Sequence, residues 1–176
     1  MPKRTGAALV TGATRGIGYL IGKEIVKRLP RHTTFMTSRG SVEGYSSILG
    51  MELGAEARER TKFVSLDIRE MEQVANLKDK IVKSFGGLDI LVNNAGIYRY
   101  PEKDRSAFHK QAREILNTNY WGTKNVIGAF MPHFKPHSRI VNITSNVGHM
   151  MAVQGVEKEI RNMCRERSRP AHFYLD

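Results

Sequence analysis

The sequence predicts an α/β protein with a doubly wound parallel sheet between two layers of helices, and three observations carry that prediction. Short apolar, β-rich runs alternate with longer amphipathic ones along most of the chain. The strand-like runs are apolar almost without interruption, as in ILV at 90–92 and IVNI at 140–143, which suits burial on both faces. A glycine-rich turn, TGATRGIG at 11–18, falls directly between the first strand-like run and the first helical pattern.

The elements follow in order. Strands are expected at 6–11 (GAALVT), 33–37 (TTFMT), 62–66 (KFVSL), 88–92 (LDILV) and 139–143 (RIVNI). Helical patterns occupy 16–29, roughly 42–57, 71–85 and 105–131, the last broken at its start. Ile17, Leu20, Ile21 and Ile25 form the expected core stripe of the first helix. On the last, about 100° per residue puts Asn119 on the buried face with Ile115, Thr123, Val126 and Phe130. Val156, Ile160, Met163 and Cys164 make one further helical stripe. No repeat or linker interrupts the chain, so 1–148 is expected as one domain. Residues 149–176 are expected as a partial helical insertion or a truncated C-terminal segment of it.

Composition narrows the function classes. A chain of 176 residues, 40% hydrophobic and 26% charged, suits one soluble domain with a real core. One cysteine, Cys164, excludes an internal disulfide and fits a reducing, cytoplasmic setting. No apolar run reaches the length of a membrane span. The net charge of +11 invites a nucleic-acid reading, but residues 1–40 hold eight Lys and Arg against Glu24 alone. Residues 41–118 balance twelve basic against twelve acidic side chains. Positive charge gathered at a glycine-rich turn fits a phosphorylated small molecule better than a polynucleotide. His133 and His137 are separated by Pro136, so no helical metal-ligand pair forms and no metal is expected.

The turn has the chemistry of a dinucleotide site. Gly12 permits the sharp exit from the strand, Gly16 lets backbone approach a phosphate, and Gly18 packs helix on sheet. The helix N-terminus adds free N–H groups and partial positive charge. The second strand ends in TSRG at 37–40, with arginine where an acidic residue would hold a ribose 2′-hydroxyl. Arg39 and Arg15 can both face a 2′-phosphate, which favours NADP(H) over NAD(H).

Five motifs in order then resemble the short-chain dehydrogenase/reductase family: TGATRGIG at 11–18, LDI at 66–68, NNAG at 93–96, Asn119, and VNITS at 141–145. NYWGTKNV and MPHFKPHSRIVNITS look most like its NADPH-dependent carbonyl reductase branch. The resemblance implies a Rossmann-like sheet of about five strands in the order 3-2-1-4-5, with the family's last strands missing. It also implies reduction of quinones, ketones or aldehydes. Gly12, Thr14, Arg15, Gly16, Ile17, Gly18 and Arg39 would take the phosphates, Asp67 and Ile68 the adenine. Asn93, Ala95 and Gly96 would support the nicotinamide ribose. Ser145 would bond the substrate carbonyl, and Asn119 would hold a relay water through its backbone at a local break in its helix.

The family's acid is a Tyr-x-x-x-Lys pair that follows the serine. Tyr120 and Lys124 precede Ser145, point away from the expected cleft side, and flank Asn119; Tyr19 and Lys23 fail likewise. After Ser145 the only tyrosine is Tyr174. The expectation is therefore a carbonyl reductase by lineage whose 176 residues, acting alone, lack the proton donor. The alternative is a non-catalytic NADPH-binding protein that meets partners, itself included, through the exposed edge of the fifth strand.

Overall fold

The computed structural model describes residues 5–99 and 104–145. Two compact units divide the chain, Met1–Ile143 and Thr144–Asp176. Of the second, only Thr144 and Ser145 are among the described residues, so the stripe at 156–164, Cys164 and Tyr174 lie outside them.

The apolar runs become five parallel strands: β1 (Gly6–Val10), β2 (His32–Ser38), β3 (Thr61–Ser65), β4 (Leu88–Asn93) and β5 (Phe134–Asn142), in the order β3-β2-β1-β4-β5. Central β1 is buried at every residue, because helices cover both of its faces. The two-residue period sorts its side chains. Leu9, Phe35 and Leu91 join α4 (Met71–Phe85) and α6 (Thr123–Phe130) in one core, whereas Val10, Met36 and Val92 meet α1 (Gly16–Arg28) on the other side. In α4 the buried Val74, Leu77 and Ile81 recur at helical spacing. Left-handed Gly86 then ends the helix, its N–H donating to Val82 O at 2.8 Å.

Four expectations are corrected. Of the stripe expected on α1, Ile21 and Ile25 do pack against the core, joined by Tyr19, while Ile17 and Leu20 are 63% and 60% exposed. The fully buried positions are Gly18, Gly22 and Val26. The glycines bring the helix so close that a Cβ on Gly22 would strike Met36 and one on Gly18 would strike Asn94, leaving no room there for larger side chains. The pattern at 42–57 is two helices, α2 (Tyr45–Leu53) and α3 (Ala55–Glu59), broken at Gly54, whose φ is 90°. The pattern at 105–131 is α5 (Arg105–Leu116), a π-helical segment (Asn117–Gly122), α6 and a 3-10 turn (Met131–His133). Its wide turn rotates the stripe, so Thr118, Gly122, Val126 and Phe130 are buried and Asn119 is exposed. Lastly, β5 begins five residues early and carries a register shift opposite Leu88 and Ile90.

Candidate functional site

The cleft is built at the carboxyl ends of β1, β2, β3 and β4. Gly12 and Gly16 take φ of +65° and +56°, in the left-handed region. A side chain on Gly12 would come within 2.8 Å of Ala95 Cα, so the turn rests against the loop after β4. The would-be Cβ of Gly16 meets nothing within 4 Å and faces open space. Arg15 caps α1 in an extended conformation without a side-chain cap bond, and the first turn holds no acidic residue. The helix therefore presents its free N–H groups and partial positive charge to the cleft.

Thr11 and Asn94 weld the turn to the β4 loop. Asn94 Nδ2 donates to Thr11 O and Gly12 O at 3.0 and 2.9 Å, and the amides of Asn94 and Ala95 both donate to Thr11 Oγ1 at 3.1 Å. Sequence reasoning missed both residues. The available signal was a polar Thr closing an otherwise apolar strand and a second Asn in NNAG. Asn93 is buried below the cleft, where its Nδ2 donates to Asn142 Oδ1 at 2.9 Å across β4 and β5.

At the end of β3, Leu66 and Ile68 line the cleft and Asp67 stands between them. Asp67 N–H donates to Gln73 Oε1 at 2.9 Å. Its carboxylate accepts from Arg69 through Nε at 2.9 and 3.1 Å, Nη2 at 2.5 Å and the backbone N–H at 3.0 Å. Hydrogen bonding by Arg69 holds the Asp67 carboxyl below the ordinary carboxylate range, against a smaller opposing effect of burial.

The π-helical segment serves two loops. Asn119 Oδ1 accepts from Ile97 N at 2.8 Å and its Nδ2 donates to Ile97 O at 2.9 Å, which closes the β4 loop over Gly96. One turn on, Gly122 leaves room for Ile68, and Asn125 Nδ2 donates to Ile68 O at 3.3 Å. Thus Asn119 sits at a true helix irregularity, with its side chain spent on the loop.

Gly12, Thr14, Arg15, Gly16, Ile17, Gly18, Arg39, Ile68, Ala95 and Gly96 come together around one open cleft of about 490 Å³, with Ser38, Leu66, Asn94 and Thr118 completing its walls. Ser145 belongs to the second compact unit, three residues beyond the end of β5.

The two Tyr/Lys spacings are occupied elsewhere. Tyr120 stacks edge-on against Trp121 at 4.9 Å, and Lys124 Nζ lies 5.1 Å from that indole's centroid. Tyr19 Oη donates to Glu52 Oε2 at 3.1 Å, and Lys23 Nζ reaches the same oxygen at 2.6 Å. Burial, then the bond to Glu52 and its charge, pushes the Tyr19 phenol up to about 12, the opposite of an activated acid. Among the described residues no group of three or more His, Cys, Asp or Glu is placed to hold a metal, and no helix is long and apolar enough to cross a membrane.

This geometry agrees with what the chain resembles. The short chain dehydrogenase family model matches residues 6–157. The chain is 35% identical to Carbonyl reductase [NADPH] 1 of Macaca fascicularis over 161 residues, 92% of this chain and 56% of that protein. It is 38% identical to the Bos taurus protein of the same name over 140 residues, 80% and 49% respectively. Among solved structures, menthone neomenthol reductase from Mentha piperita superposes with a TM-score of 0.71 at 28% identity, covering 94% of this chain and 73% of that one. A short chain dehydrogenase from Burkholderia cenocepacia J2315 in complex with NADP gives 0.69 at 31%, covering 82% and 57%. The fold and cleft define a doubly wound α/β scaffold with a glycine-rich turn at the carboxyl ends of its parallel strands. The chain belongs to the short-chain dehydrogenase family, and it spans about half the length of the curated relatives it matches.

Proposed function

We propose that the chain binds NADP(H) in this cleft and serves the reduction of small carbonyl compounds: quinones, ketones and aldehydes. The observation that carries the reading is the pairing of a left-handed glycine cradle with two exposed arginines, Arg15 and Arg39, on its rim. The cradle fits a pyrophosphate, since only hydrogen at Gly16 leaves the approach open. Arg39 follows β2 with no carboxylate nearby in sequence before Glu43, which suits a 2′-phosphate rather than a free hydroxyl. The relatives named for NADPH and the neighbour holding NADP support that choice.

Hydride chemistry is what a nicotinamide dinucleotide supplies when bound. The chain's own residues do the rest. Gly12, Gly16 and Gly18 hold the pyrophosphate, with Thr14 and Ile17 beside it. Asp67 accepts from the adenine amine, and Ile68 lines that pocket. Ala95 and Gly96, fixed by Asn94 and Asn119, support the nicotinamide ribose, and Asn93 ties the strands beneath. Ser145 orients the substrate carbonyl, and the Asn119 backbone holds a relay water.

No Tyr-x-x-x-Lys follows Ser145 within these 176 residues, so this polypeptide acting alone is proposed to bind cofactor without donating the proton efficiently. Quinone-dependent NADPH oxidation by the purified polypeptide tests this. Turnover far below that of a carbonyl reductase assayed beside it is expected; comparable turnover overturns the proposed inactivity.

A second reading is a non-catalytic NADPH-binding protein that self-associates through β5. Ile140 and Val141 on that strand are 40% and 45% exposed. Sedimentation would show dimers or larger species at micromolar concentration; a monomer that binds no nucleotide contradicts it. Cytoplasmic residence, and an extent of about residues 1–148 for the nucleotide-binding domain, complete the proposal.

A further inference from the structure

We propose that Arg69 is a positioning residue for base recognition: by fixing the Asp67 carboxylate it makes the cleft select an adenine over a base that carries a carbonyl in place of the amine. This inference rests on the proposed NADP(H) reading of the cleft.

A carboxylate has about four lone-pair sites, two on each oxygen. Asp67 Oδ1 accepts from the backbone N–H and from Nε of Arg69, at 3.0 and 2.9 Å, and is thereby filled. Oδ2 accepts Nη2 at 2.5 Å and shares the longer contact from Nε at 3.1 Å. About one acceptor site remains, on Oδ2, for a donor from outside. The Asp67 side chain is 16% exposed and that of Arg69 is 38% exposed, so the open side of the pair is narrow. Leu66 and Ile68, the chain neighbours of Asp67, line the cleft with only 3% of each exposed.

The backbone under the pair is held as firmly. Gln73 receives the Asp67 N–H and Asn125 reaches Ile68 O, so the carboxylate has little freedom to follow a misplaced base. An ionised carboxylate accepts and never donates. A 6-amino group therefore gains a charge-assisted bond, whereas a 6-carbonyl meets an unsatisfied acceptor and is rejected. Arg69 supplies this discrimination without touching the base.

The test compares the affinities of the full 176-residue chain for NADPH and for its deaminated hypoxanthine analogue, by fluorescence titration. The wild-type chain should prefer NADPH by about tenfold, the worth of one charge-assisted bond. In Arg69→Ala the preference should fall to within about twofold of unity, matching Asp67→Ala. The preference for NADPH over NADH, which runs through Arg15 and Arg39, should stay unchanged in Arg69→Ala. Arg69→Gln keeps a hydrogen-bonding side chain, and should lose most of the base preference even if Arg69→Ala fails to fold. An unchanged base ratio in the variants overturns the proposal, as does a loss confined to the NADPH-over-NADH ratio, which would make Arg69 a phosphate ligand. A wild-type chain that binds neither dinucleotide overturns the cofactor reading, and the role of Arg69 falls with it.

Discussion

Tyr19 shows how a residue with catalytic spacing is diverted to structure. Its phenol and the Lys23 ammonium share one Glu52 oxygen, which ties α1 to α2 instead of presenting an acid to the cleft. The neutral phenol is the favoured form in the fold, so its stabilisation is complete below its ordinary value of 10 and is lost as pH rises through about 12. Spectrophotometric titration should find one of the six tyrosines ionising near pH 12, and Tyr19→Phe should remove that late component. A late phase that survives the substitution would assign the shift to another tyrosine. Spacing alone made Tyr19…Lys23 and Tyr120…Lys124 legible as pairs, but not their partners. Glu52 lies 33 residues from Tyr19, and Trp121 competes for Lys124 from the next turn. Thr11 and Asn94 were illegible for a similar reason: their bonds span more than 80 residues, a distance that local pattern does not report.

Among the elements, the stretch NYWGTKN (119–125) does more than its Tyr/Lys spacing suggested. Its π-turn lets Asn119 hold the β4 loop and Asn125 the β3 loop, so one helix sets both ends of the cleft. Asn119→Ala removes two bonds to Ile97 and should cost about 1–3 kcal/mol of stability. Hydrogen exchange should show the Ile97 amide losing protection well before the strand amides of β1. Uniform loss across the sheet would contradict a tie confined to the β4 loop. Helix α4 was legible to the residue, because Val74, Leu77 and Ile81 keep strict period and Gly86 marks its end. The first half of β5 was not. Pro136 and left-handed His137 break the alternation, and Ser138 Oγ donates to Leu88 O at 2.8 Å to hold the distorted pairing. The stripe of α1 held at Ile21 and Ile25 but failed at Ile17 and Leu20, because glycine wins where helix and sheet must nearly touch.

For the whole molecule, the parallel sheet, its order and the carboxyl-end cleft followed from alternation, one glycine turn and the resemblance of five ordered motifs. That order opens the crevice where ligands of such sheets bind. Of the eight basic residues among the first forty, Arg15 and Arg39 stand on the cleft rim, whereas Lys23 pairs with Glu52, and Lys27 and Arg28 with Glu24. The central claim is that this rim reads a 2′-phosphate. Calorimetric titration of the 176-residue chain with NADPH and NADH tests it most directly, with Arg39→Ala alongside. NADPH should bind at least about tenfold tighter than NADH in the wild-type chain, and Arg39→Ala should erase most of that difference. Equal affinity for the two dinucleotides, or a preference untouched by Arg39→Ala, would contradict the account.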